Sequence, residues 1–189
     1  MIRELSAHEL ADAAALAAAA FRDDAGFSYI FPEAATRRWR LPSMLEAMLR
    51  VDMACGGRVS GAFDDGALVG ISFVLPRDAA GPDMADWVRE SPRLGWLLHE
   101  PATLLRALAL RRAIESVRPR TLDYLILLAV HPATHGRGIG AALLNAAPKA
   151  IYLETFEEKN AEWYQKRGFK LIGEVRSSVR PTFWTLRRG

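Results

Sequence analysis

The sequence predicts an α/β fold with a mixed central sheet of about six to seven strands flanked by helices. Three observations predict it. Strand-like segments rich in Val, Ile, Leu and Phe are separated by turns of Gly, Asp and Pro. Helical segments precede these strands and alternate with them. The chain has 189 residues, half of them hydrophobic, which is enough for one domain with a buried core.

The first third of the chain predicts two helices. Ser6 and Glu9 form a capping box in front of an alanine-rich helix that runs to Phe21. The segment 22–33 contains two adjacent aspartates and several aromatic residues, and it is predicted to be a loop. A second helix is expected over 34–54, kinked or divided at Pro42.

The middle of the chain changes from helical to alternating periodicity. Strands are predicted over 58–63 and 67–75, joined at the hairpin turn Asp64-Asp65-Gly66. Residues 82–117 are predicted to form a helical insert of one or two helices, because apolar positions recur there at helical spacing. The insert lies before the central strand.

The last third predicts alternating strands and short helices. The strongly apolar segment 121–130 is predicted to be the central strand, covered on both faces. The elements expected after it are a short helix over 138–147 that ends at Pro148, a strand over 150–155, a helix over 158–167, and strands over 169–175 and 179–186. The whole chain, 1–189, is expected to form a single domain.

Composition argues against several classes of protein. The formal net charge is +3 and the arginines are spread along the chain, so no nucleic-acid partner is expected. The apolar stretches are too short to cross a bilayer and the N-terminus lacks the regions of a signal peptide, so no membrane association and a cytoplasmic location are expected. Cys55 is the only cysteine, which argues against disulfides and cysteine-based metal sites, and no metal is expected.

The segment VHPATHGRGIGAALLNA, residues 130–146, joins a strand end to a glycine turn and a helix start. Glycines let the backbone approach an anion closely, while the unpaired N–H groups and the dipole of the following helix attract negative charge. Arg137 adds a cationic side chain. This order of elements predicts a phosphate-binding turn.

The glycine turn also has features of other phosphate-binding motifs. A P-loop needs a lysine followed by Ser or Thr at the helix start, where this chain has Ala141 and Ala142. Gly136, Gly138 and Ala141 satisfy a Rossmann fingerprint, but only about fifty residues follow, too few for the strand–helix units of that fold. A glycine-rich turn without a ligand remains the structural alternative.

The turn resembles motif A of the GNAT superfamily of acetyl-CoA-dependent N-acetyltransferases. Val130, Pro132, Gly138 and Gly140 match the family pattern, whereas His135 stands where Gln or Arg is usual. The helix after the turn is shorter than is usual in the family. The resemblance implies a GNAT-type fold, with acetyl-CoA as the cosubstrate.

Residues 152–169, YLETFEEKNAEWYQKRGF, resemble motif B of the same family through Asn160, Tyr164 and Gly168-Phe169. The resemblance implies that acetyl-CoA lies between the strands 121–130 and 150–155, which splay apart. The residues then expected to bind it are Leu128, Ala129, Val130, His135, Gly136, Arg137, Gly138, Ile139, Gly140, Ala141 and Asn160.

The implied reaction is direct attack of a primary amine on the thioester. An amine with the reference lysine pKa of about 10.4 is neutral in only a few molecules in ten thousand at pH 7, an equilibrium difference of about 4.6 kcal/mol. A base must take this proton, and Asp123 and Glu154 are both candidates. Tyr164 is implied by its family position as the general acid toward the departing thiolate.

The acceptor is expected to be a small-molecule or peptide amine, held by the first two helices, their loop and the last strands. The substrate-binding residues expected there are Asp24, Phe27, Tyr29, Phe31 and Trp184. A non-catalytic acyl-CoA-binding sensor or regulatory protein on the same fold is the alternative function. The chain is expected to be a monomer or a homodimer.

Overall fold

A computed structural model of the chain describes residues 1–82, 84–89, 91–95 and 99–189. Its helices are α1 (Leu10–Ala20), α2 (Ala25–Ile30), α3 (Ala34–Ala54), α4 (Met84–Arg89), α5 (Ser91–Leu94), α6 (Pro101–Val117), α7 (Ile139–Ala146) and α8 (Glu158–Gln165). Its strands are β1 (Ile2–Glu4), β2 (Arg58–Asp64), β3 (Ala67–Leu75), β4 (Asp123–Val130), β5 (Ile151–Thr155), β6 (Lys170–Val175) and β7 (Phe183–Arg188).

Within the described residues, seven strands form one sheet in the order β1-β2-β3-β4-β5-β7-β6. Neighbouring strands are antiparallel except β4 and β5, which run parallel. The predicted mixed sheet of six to seven strands is therefore confirmed. The strand that the sequence did not predict, β1, is a three-residue edge strand paired with β2.

Helices cover both faces of the sheet. Buried side chains of α1, α2, α3 and α6 pack on Ile71, Phe73, Leu127 and Ala129, and we call this side the α1 face. On the opposite side, which we call the α8 face, Leu144 of α7 and Ala161 and Tyr164 of α8 pack on β4, β5 and β7. The functional groups described below lie on one or the other of these faces.

The prediction of a loop over 22–33 was wrong, because α2 occupies Ala25–Ile30. The Asp24 carboxylate caps this helix by accepting a hydrogen bond from the Phe27 N–H at 3.1 Å. Gly26 and Ile30 are buried, and a Cβ at Gly26 would lie 2.9 Å from the Phe156 ring. Tertiary packing thus forms a helix from residues that favour loops.

The second helix is continuous from Ala34 to Ala54, so Pro42 does not divide it as one form of the prediction had it. Pro42 has no N–H to offer the carbonyl of Arg38, one turn earlier. Arg38 is exposed, so water can replace the missing partner.

The predicted helical insert over 82–117 contains three helices, α4, α5 and α6, in its described part, where one or two were expected. Positions 83, 90 and 96–98 of this prediction lie outside the described residues. The helix α6 is the longest of the three, and its buried Leu110 packs in the hydrophobic cluster of the α1 face. No helix in the described part of the chain is both long and apolar enough to cross a membrane.

Gly70 of β3 sets how closely α7 approaches the sheet. A Cβ at this position would lie 2.9 Å from Ile139 Cγ2, 3.0 Å from Leu143 Cδ1 and 3.1 Å from the Ala129 carbonyl oxygen. Replacing Gly70 by alanine should therefore push α7 outward and lower the free energy of unfolding by about 1–3 kcal/mol, measured by urea denaturation.

Gly140→Ala is the matched control for this prediction. Its Cβ would meet Val130 Cγ2 at 3.5 Å, an ordinary van der Waals distance, and alanine favours the helix. We expect this variant to be at least as stable as the unaltered chain. Equal stability of the Gly70→Ala variant would contradict the described packing of α7 on β3.

Candidate active site

The two parallel strands at the centre of the sheet separate almost as soon as they have paired. Asp123 pairs with Ile151 and Tyr124 with Tyr152, and the ladder between β4 and β5 then ends. Residues 125–130 of β4 have no partner in β5. The sheet is thus open between β4 and β5, as the family resemblance implied.

A β-bulge in β4 accompanies this divergence. Phe73 of β3 lies opposite Leu127 and Val74 lies opposite Leu125, so Ile126 is left without a partner. Consequently Ile126 and Leu127 both pack toward the α1 face, whereas Leu125 packs on the α8 face. A bulge bends its strand and changes the direction of its main-chain groups.

The main chain of β4 points alternately toward β3 and into the opening. The His131 N–H donates to the Val69 carbonyl at 2.9 Å, which makes this a hydrogen-bonded pair of the antiparallel ladder. Because bonded and non-bonded pairs alternate, Ala129 also bonds to β3, while the main-chain groups of Leu128 and Val130 face the opening. Of the three strand residues predicted to contact acetyl-CoA, Leu128 and Val130 therefore direct main-chain groups into the opening, while Ala129 does not.

The glycine turn contains two residues with a left-handed backbone conformation. Gly136 and Gly138 have φ values of +79° and +78°, a left-handed conformation that favours glycine. Apart from the adjacent residues of the chain, no described atom lies within 4 Å of the position that a Cβ would take at either residue. Ile139, Gly140 and Ala141 form the first turn of α7, where the N–H groups lack partners within the helix. The turn thus offers open space beside unpaired donors, which fits a pyrophosphate.

The two cationic or polar side chains of the turn contact the protein itself. The His135 Nε2 lies 3.0 Å from the carbonyl oxygen of Val130, at the end of β4. Arg137 forms an ion pair with Asp64 of the β2–β3 hairpin, with Nη2 and Oδ2 2.7 Å apart. Both side chains thus have a partner within the protein, while the main-chain N–H groups at the start of α7 have no partner within the helix.

Asn160 and Tyr164 lie one turn apart on α8, and only Tyr164 is buried. The Tyr164 ring is edge-on to Trp163 and Phe169, with ring centroids 5.0 and 5.3 Å away. Burial raises the pKa of Tyr164 well above its ordinary value, and the nearby Glu154 carboxylate raises it further. Tyr164 therefore keeps its proton throughout the physiological pH range, while Asn160 is exposed.

Glu154 lies on β5 beside the opening, and its carboxyl group is only half satisfied. The Tyr124 hydroxyl donates a hydrogen bond to Glu154 Oε1. Glu154 Oε2 and the Tyr152 hydroxyl are buried without a hydrogen-bond partner among the described residues. Burial raises the pKa of Glu154 to about 8, against the opposing effects of the Tyr124 hydroxyl and the Arg118 guanidinium.

The other candidate base, Asp123, lies in a different environment. Its Oδ1 accepts a hydrogen bond from the Arg77 N–H at 3.0 Å, which fixes the loop after β3. It stands next to Tyr124 in β4, so strand alternation directs it to the opposite face from Tyr124 and Glu154. The structure brings Glu154, and not Asp123, to the group of buried polar atoms beside the opening.

Three of the predicted acceptor residues lie together on α2. Asp24 caps the helix, and burial raises the pKa of its carboxyl to about 6, although two backbone N–H groups oppose this. Phe27 and Tyr29 are partly buried and pack against the main hydrophobic cluster of the α1 face. These three residues therefore share the face on which Glu154 lies.

The remaining two predicted acceptor residues do not join this group. Phe31 is 1% exposed and belongs to the core, because the chain turns inward between α2 and α3. Trp184 packs on the α8 face, since alternation along β7 places it opposite to Phe183. Phe183 instead pairs with Phe156 at a ring-centroid distance of 5.6 Å.

Several site residues were not predicted from the sequence. Tyr124 and Tyr152 are adjacent in the β4–β5 ladder, with ring centroids 5.9 Å apart, and Arg118 lies over the Tyr124 ring. The signal available in the sequence was a polar aromatic residue near the start of each of two apolar strands. Only the parallel pairing of these strands makes the two tyrosines neighbours of Glu154.

The comparisons with known proteins agree with this geometry. Residues 104–171 match the family model of the acetyltransferase (GNAT) domain. No curated protein sequence matches the chain significantly. The fold predicted from the sequence is confirmed: the chain has the fold of the GNAT acetyltransferases, and residues 104–171 carry the sequence pattern of that family.

Three solved structures illustrate the similarity over the full chain. The first is described as histone acetyltransferase HPA2 and related acetyltransferase from Corynebacterium glutamicum, with 20% identity, TM-score 0.71 and coverage of 100% of this chain and 94% of that one. The second is the PaiA N-acetyltransferase of Thermoplasma acidophilum in complex with coenzyme A (16%, TM-score 0.58, 100% and 98%). The third is a polyamine N-acetyltransferase of Drosophila melanogaster that forms N-acetylagmatine (19%, TM-score 0.55, 99% and 98%).

Proposed function

We propose that this protein is an N-acetyltransferase that transfers the acetyl group of acetyl-CoA to a primary amine by direct attack. The observation that carries the proposal is the Glu154 carboxyl group, which lies beside the opening between β4 and β5 with one buried oxygen lacking a partner. An unpaired buried oxygen of this kind needs a polar occupant. An ammonium group is the occupant that a carboxylate attracts most strongly.

Acetyl-CoA fits the residues around the opening. The N–H groups at Ile139, Gly140 and Ala141 and the open backbone at Gly136 and Gly138 suit its pyrophosphate. The main-chain groups of Leu128 and the N–H of Val130, whose carbonyl is contacted by His135, suit its pantetheine arm, and the thioester supplies the acetyl group. N–H donors in this position also stabilise negative charge that develops on the thioester oxygen.

Glu154 acts as the base in this proposal because its pKa suits the task. Moving a proton from an amine of pKa about 10.4 to a carboxyl of pKa about 8 is uphill by about 3 kcal/mol. The same transfer to a carboxyl at the ordinary value of 4.5 is uphill by about 8 kcal/mol. Burial of Glu154 therefore lowers the free energy needed for this proton transfer by more than half.

Tyr164 serves as the proton or hydrogen-bond donor to the departing thiolate. Its pKa is raised, so complete proton transfer to a thiol of reference pKa about 8.5 is unfavourable. A strong hydrogen bond from the buried hydroxyl stabilises the thiolate instead. Asn160, one turn earlier on α8, offers an exposed amide to the cofactor.

The acceptor in this proposal is a small amine with an apolar body. The α1 face offers Asp24 and Glu154 as acidic groups and Phe27, Tyr29 and Phe156 as partly buried aromatic side chains. The similar polyamine N-acetyltransferase forms N-acetylagmatine, so agmatine and polyamines are the first acceptors to test. The Asp24 carboxyl is then available for the end of the acceptor that does not react.

The test is an acetyl-transfer assay that follows free coenzyme A with a panel of amines, on the unaltered chain and on Tyr164→Phe. We expect turnover with at least one amine, and a 10- to 100-fold lower kcat in the variant with unchanged affinity for acetyl-CoA. Phe169→Leu, which alters the ring beside Tyr164 without removing a proton donor, is the control for packing. Acetyl-CoA binding without turnover on any amine would contradict the proposal and favour the acyl-CoA-binding sensor.

A further inference from the structure

Arg118 connects the end of α6 to the polar group beside the opening. Its guanidinium carbon lies 4.5 Å from the centroid of the Tyr124 ring, and its Nη1 donates to Glu115 Oε1 at 2.9 Å. Only 10% of its side chain is exposed, and its Nε is buried without a hydrogen-bond partner among the described residues. Glu115 compensates the charge of Arg118, and the stack on the Tyr124 ring places this cation against a member of the polar group beside the opening.

The contacts of Arg118 extend to Glu154 through one intervening side chain. Arg118 covers the face of the Tyr124 ring, and the hydroxyl of that ring donates to Glu154 Oε1. A guanidinium stacked on an aromatic face is attracted to it and restricts its orientation. The direction of the Tyr124 hydroxyl, and hence of the carboxyl group that accepts from it, therefore depends on Arg118.

We propose that Arg118 is a positioning residue for acetyl transfer, which holds the Tyr124 hydroxyl on Glu154 and supplies the positive charge that allows this buried carboxyl group to ionise. The inference rests on the proposed function, in which Glu154 takes the proton of the amine. Arg118 itself contacts neither substrate nor cofactor in this proposal and acts through Tyr124 and through its charge.

The charges around Glu154 support this role. The titratable or charged groups that influence it from the surrounding elements are Tyr124 on β4, Tyr152 on β5, Glu115 and Arg118 at the end of α6, and Tyr164 on α8. Arg118 is the one cation in this group. Burial raises the pKa of Glu154, Glu115 adds to that increase, and the Tyr124 hydroxyl and Arg118 oppose it.

The test compares the pH dependence of kcat/KM in the unaltered chain and in Arg118→Met, a variant that keeps apolar contact with Tyr124 but has no charge. We expect the rising limb of the profile to move to higher pH by about one unit, with about tenfold lower activity at pH 7. The affinity for acetyl-CoA, measured by calorimetry, should stay unchanged.

Arg120→Met is the matched control. Arg120 also pairs with Glu115, but its side chain is 66% exposed and no ring contact joins it to Tyr124 in the described part of the chain. The rising limb of the Arg120→Met profile should coincide with that of the unaltered chain.

Arg118→Lys is the second variant and keeps the charge without the planar stacking group. Its limb should stay within a few tenths of a pH unit, while kcat falls.

The outcomes separate this inference from the proposed function. A rising limb in Arg118→Met that coincides with the unaltered profile overturns the role of the charge. If Arg118→Met does not fold, Arg118→Lys decides, and a kcat equal to that of the unaltered chain overturns the positioning role. Full activity of a Glu154→Gln variant would instead overturn the assignment of the base, whatever the Arg118 variants do.

Discussion

Replacing Glu154 by glutamine should lower kcat by about 10²- to 10³-fold and leave the affinity for acetyl-CoA unchanged. Glutamine has nearly the same shape but cannot accept the proton of the amine. In the unaltered chain, activity should rise with pH around the Glu154 pKa of about 8, because the base must be ionised. In the variant this rise should be absent, leaving only the rise that follows the pKa of the acceptor amine, about 10.4.

Glu154→Gln should lower activity, but it should not lower the stability of the fold at alkaline pH. The folded chain holds the Glu154 proton up to about pH 8, whereas an unfolded chain releases it near the ordinary value of 4.5. Between these values the unfolded state binds fewer protons, so this group lowers the free energy of unfolding as pH rises. Glu154→Gln removes that decrease, and its thermal midpoint at pH 8.5 should equal or exceed that of the unaltered chain.

Glu174→Gln is the control for the loss of a carboxylate. Glu174 lies on the edge strand β6, which β7 separates from β5, and it pairs with Arg176 near the surface. We expect normal kcat and an unchanged pH profile from this variant. A Glu154→Gln variant with a lower thermal midpoint at pH 8.5 and weaker acetyl-CoA binding would indicate damage to the fold rather than loss of the base.

The order of strands and helices could be predicted because each depends on local patterns. The hairpin around Asp64-Asp65-Gly66 and the apolar strand before the glycine turn are examples. The helix α2 could not be predicted in the same way. Its residues favour loops, and it forms because Gly26 packs against Phe156, about 130 residues later in the chain. Contacts of such long range are not visible in a local window of sequence.

The backbone of the glycine turn was also predictable, whereas the roles of its side chains were not. Glycine at 136 and 138 indicates a left-handed conformation directly, and both residues adopt it. His135 contacts the Val130 carbonyl, and Arg137 pairs with Asp64. Both contacts depend on where the strand end and the hairpin lie in three dimensions. A basic residue in a turn therefore does not by itself indicate a ligand contact.

The polar group beside the opening depends on strand register. Tyr124 and Glu154 are 30 residues apart in sequence, and the parallel ladder brings them together only because Tyr124 pairs with Tyr152. A shift of one residue would turn Glu154 to the other face. The bulge at Ile126 has no sequence signal that we recognise, yet it reverses the alternation of β4. Register, rather than residue type, determined which candidate base lies beside the opening.

Replacing Gly138 by aspartate should strongly weaken the binding of acetyl-CoA while the fold remains. Gly138 precedes α7, and a Cβ there would meet no protein atom within 4 Å, so the new side chain enters open space. A carboxylate within about 4 Å of a pyrophosphate near the protein surface opposes its binding by about 2–4 kcal/mol, a loss of about 30- to 1,000-fold in affinity. The left-handed backbone adds about 1 kcal/mol of strain, which lowers stability but not affinity.

Thermal unfolding with ligand measures this effect. At a hundred times the dissociation constant, acetyl-CoA or coenzyme A should stabilise the unaltered chain by about 2.7 kcal/mol, which is about 5–10 °C in the midpoint. NAD(H) and ATP at the same concentration should give no shift. Gly138→Asp should shift by about 1 °C or less with acetyl-CoA, because a hundredfold loss of affinity leaves the site half occupied.

Two further variants separate charge from backbone strain. Gly138→Asn adds a side chain of the same shape without a charge, and asparagine tolerates the left-handed conformation, so most of the acetyl-CoA shift should remain. Gly56→Asp introduces a charged residue at a positive φ of +97° in open space after α3, far along the chain from the glycine turn. This variant should unfold at a lower temperature than the unaltered chain but gain the full stabilisation from acetyl-CoA. If acetyl-CoA also raised the thermal midpoint of Gly138→Asp by the full amount, the pyrophosphate would not bind at the glycine turn. A turn without a ligand would then explain these residues better.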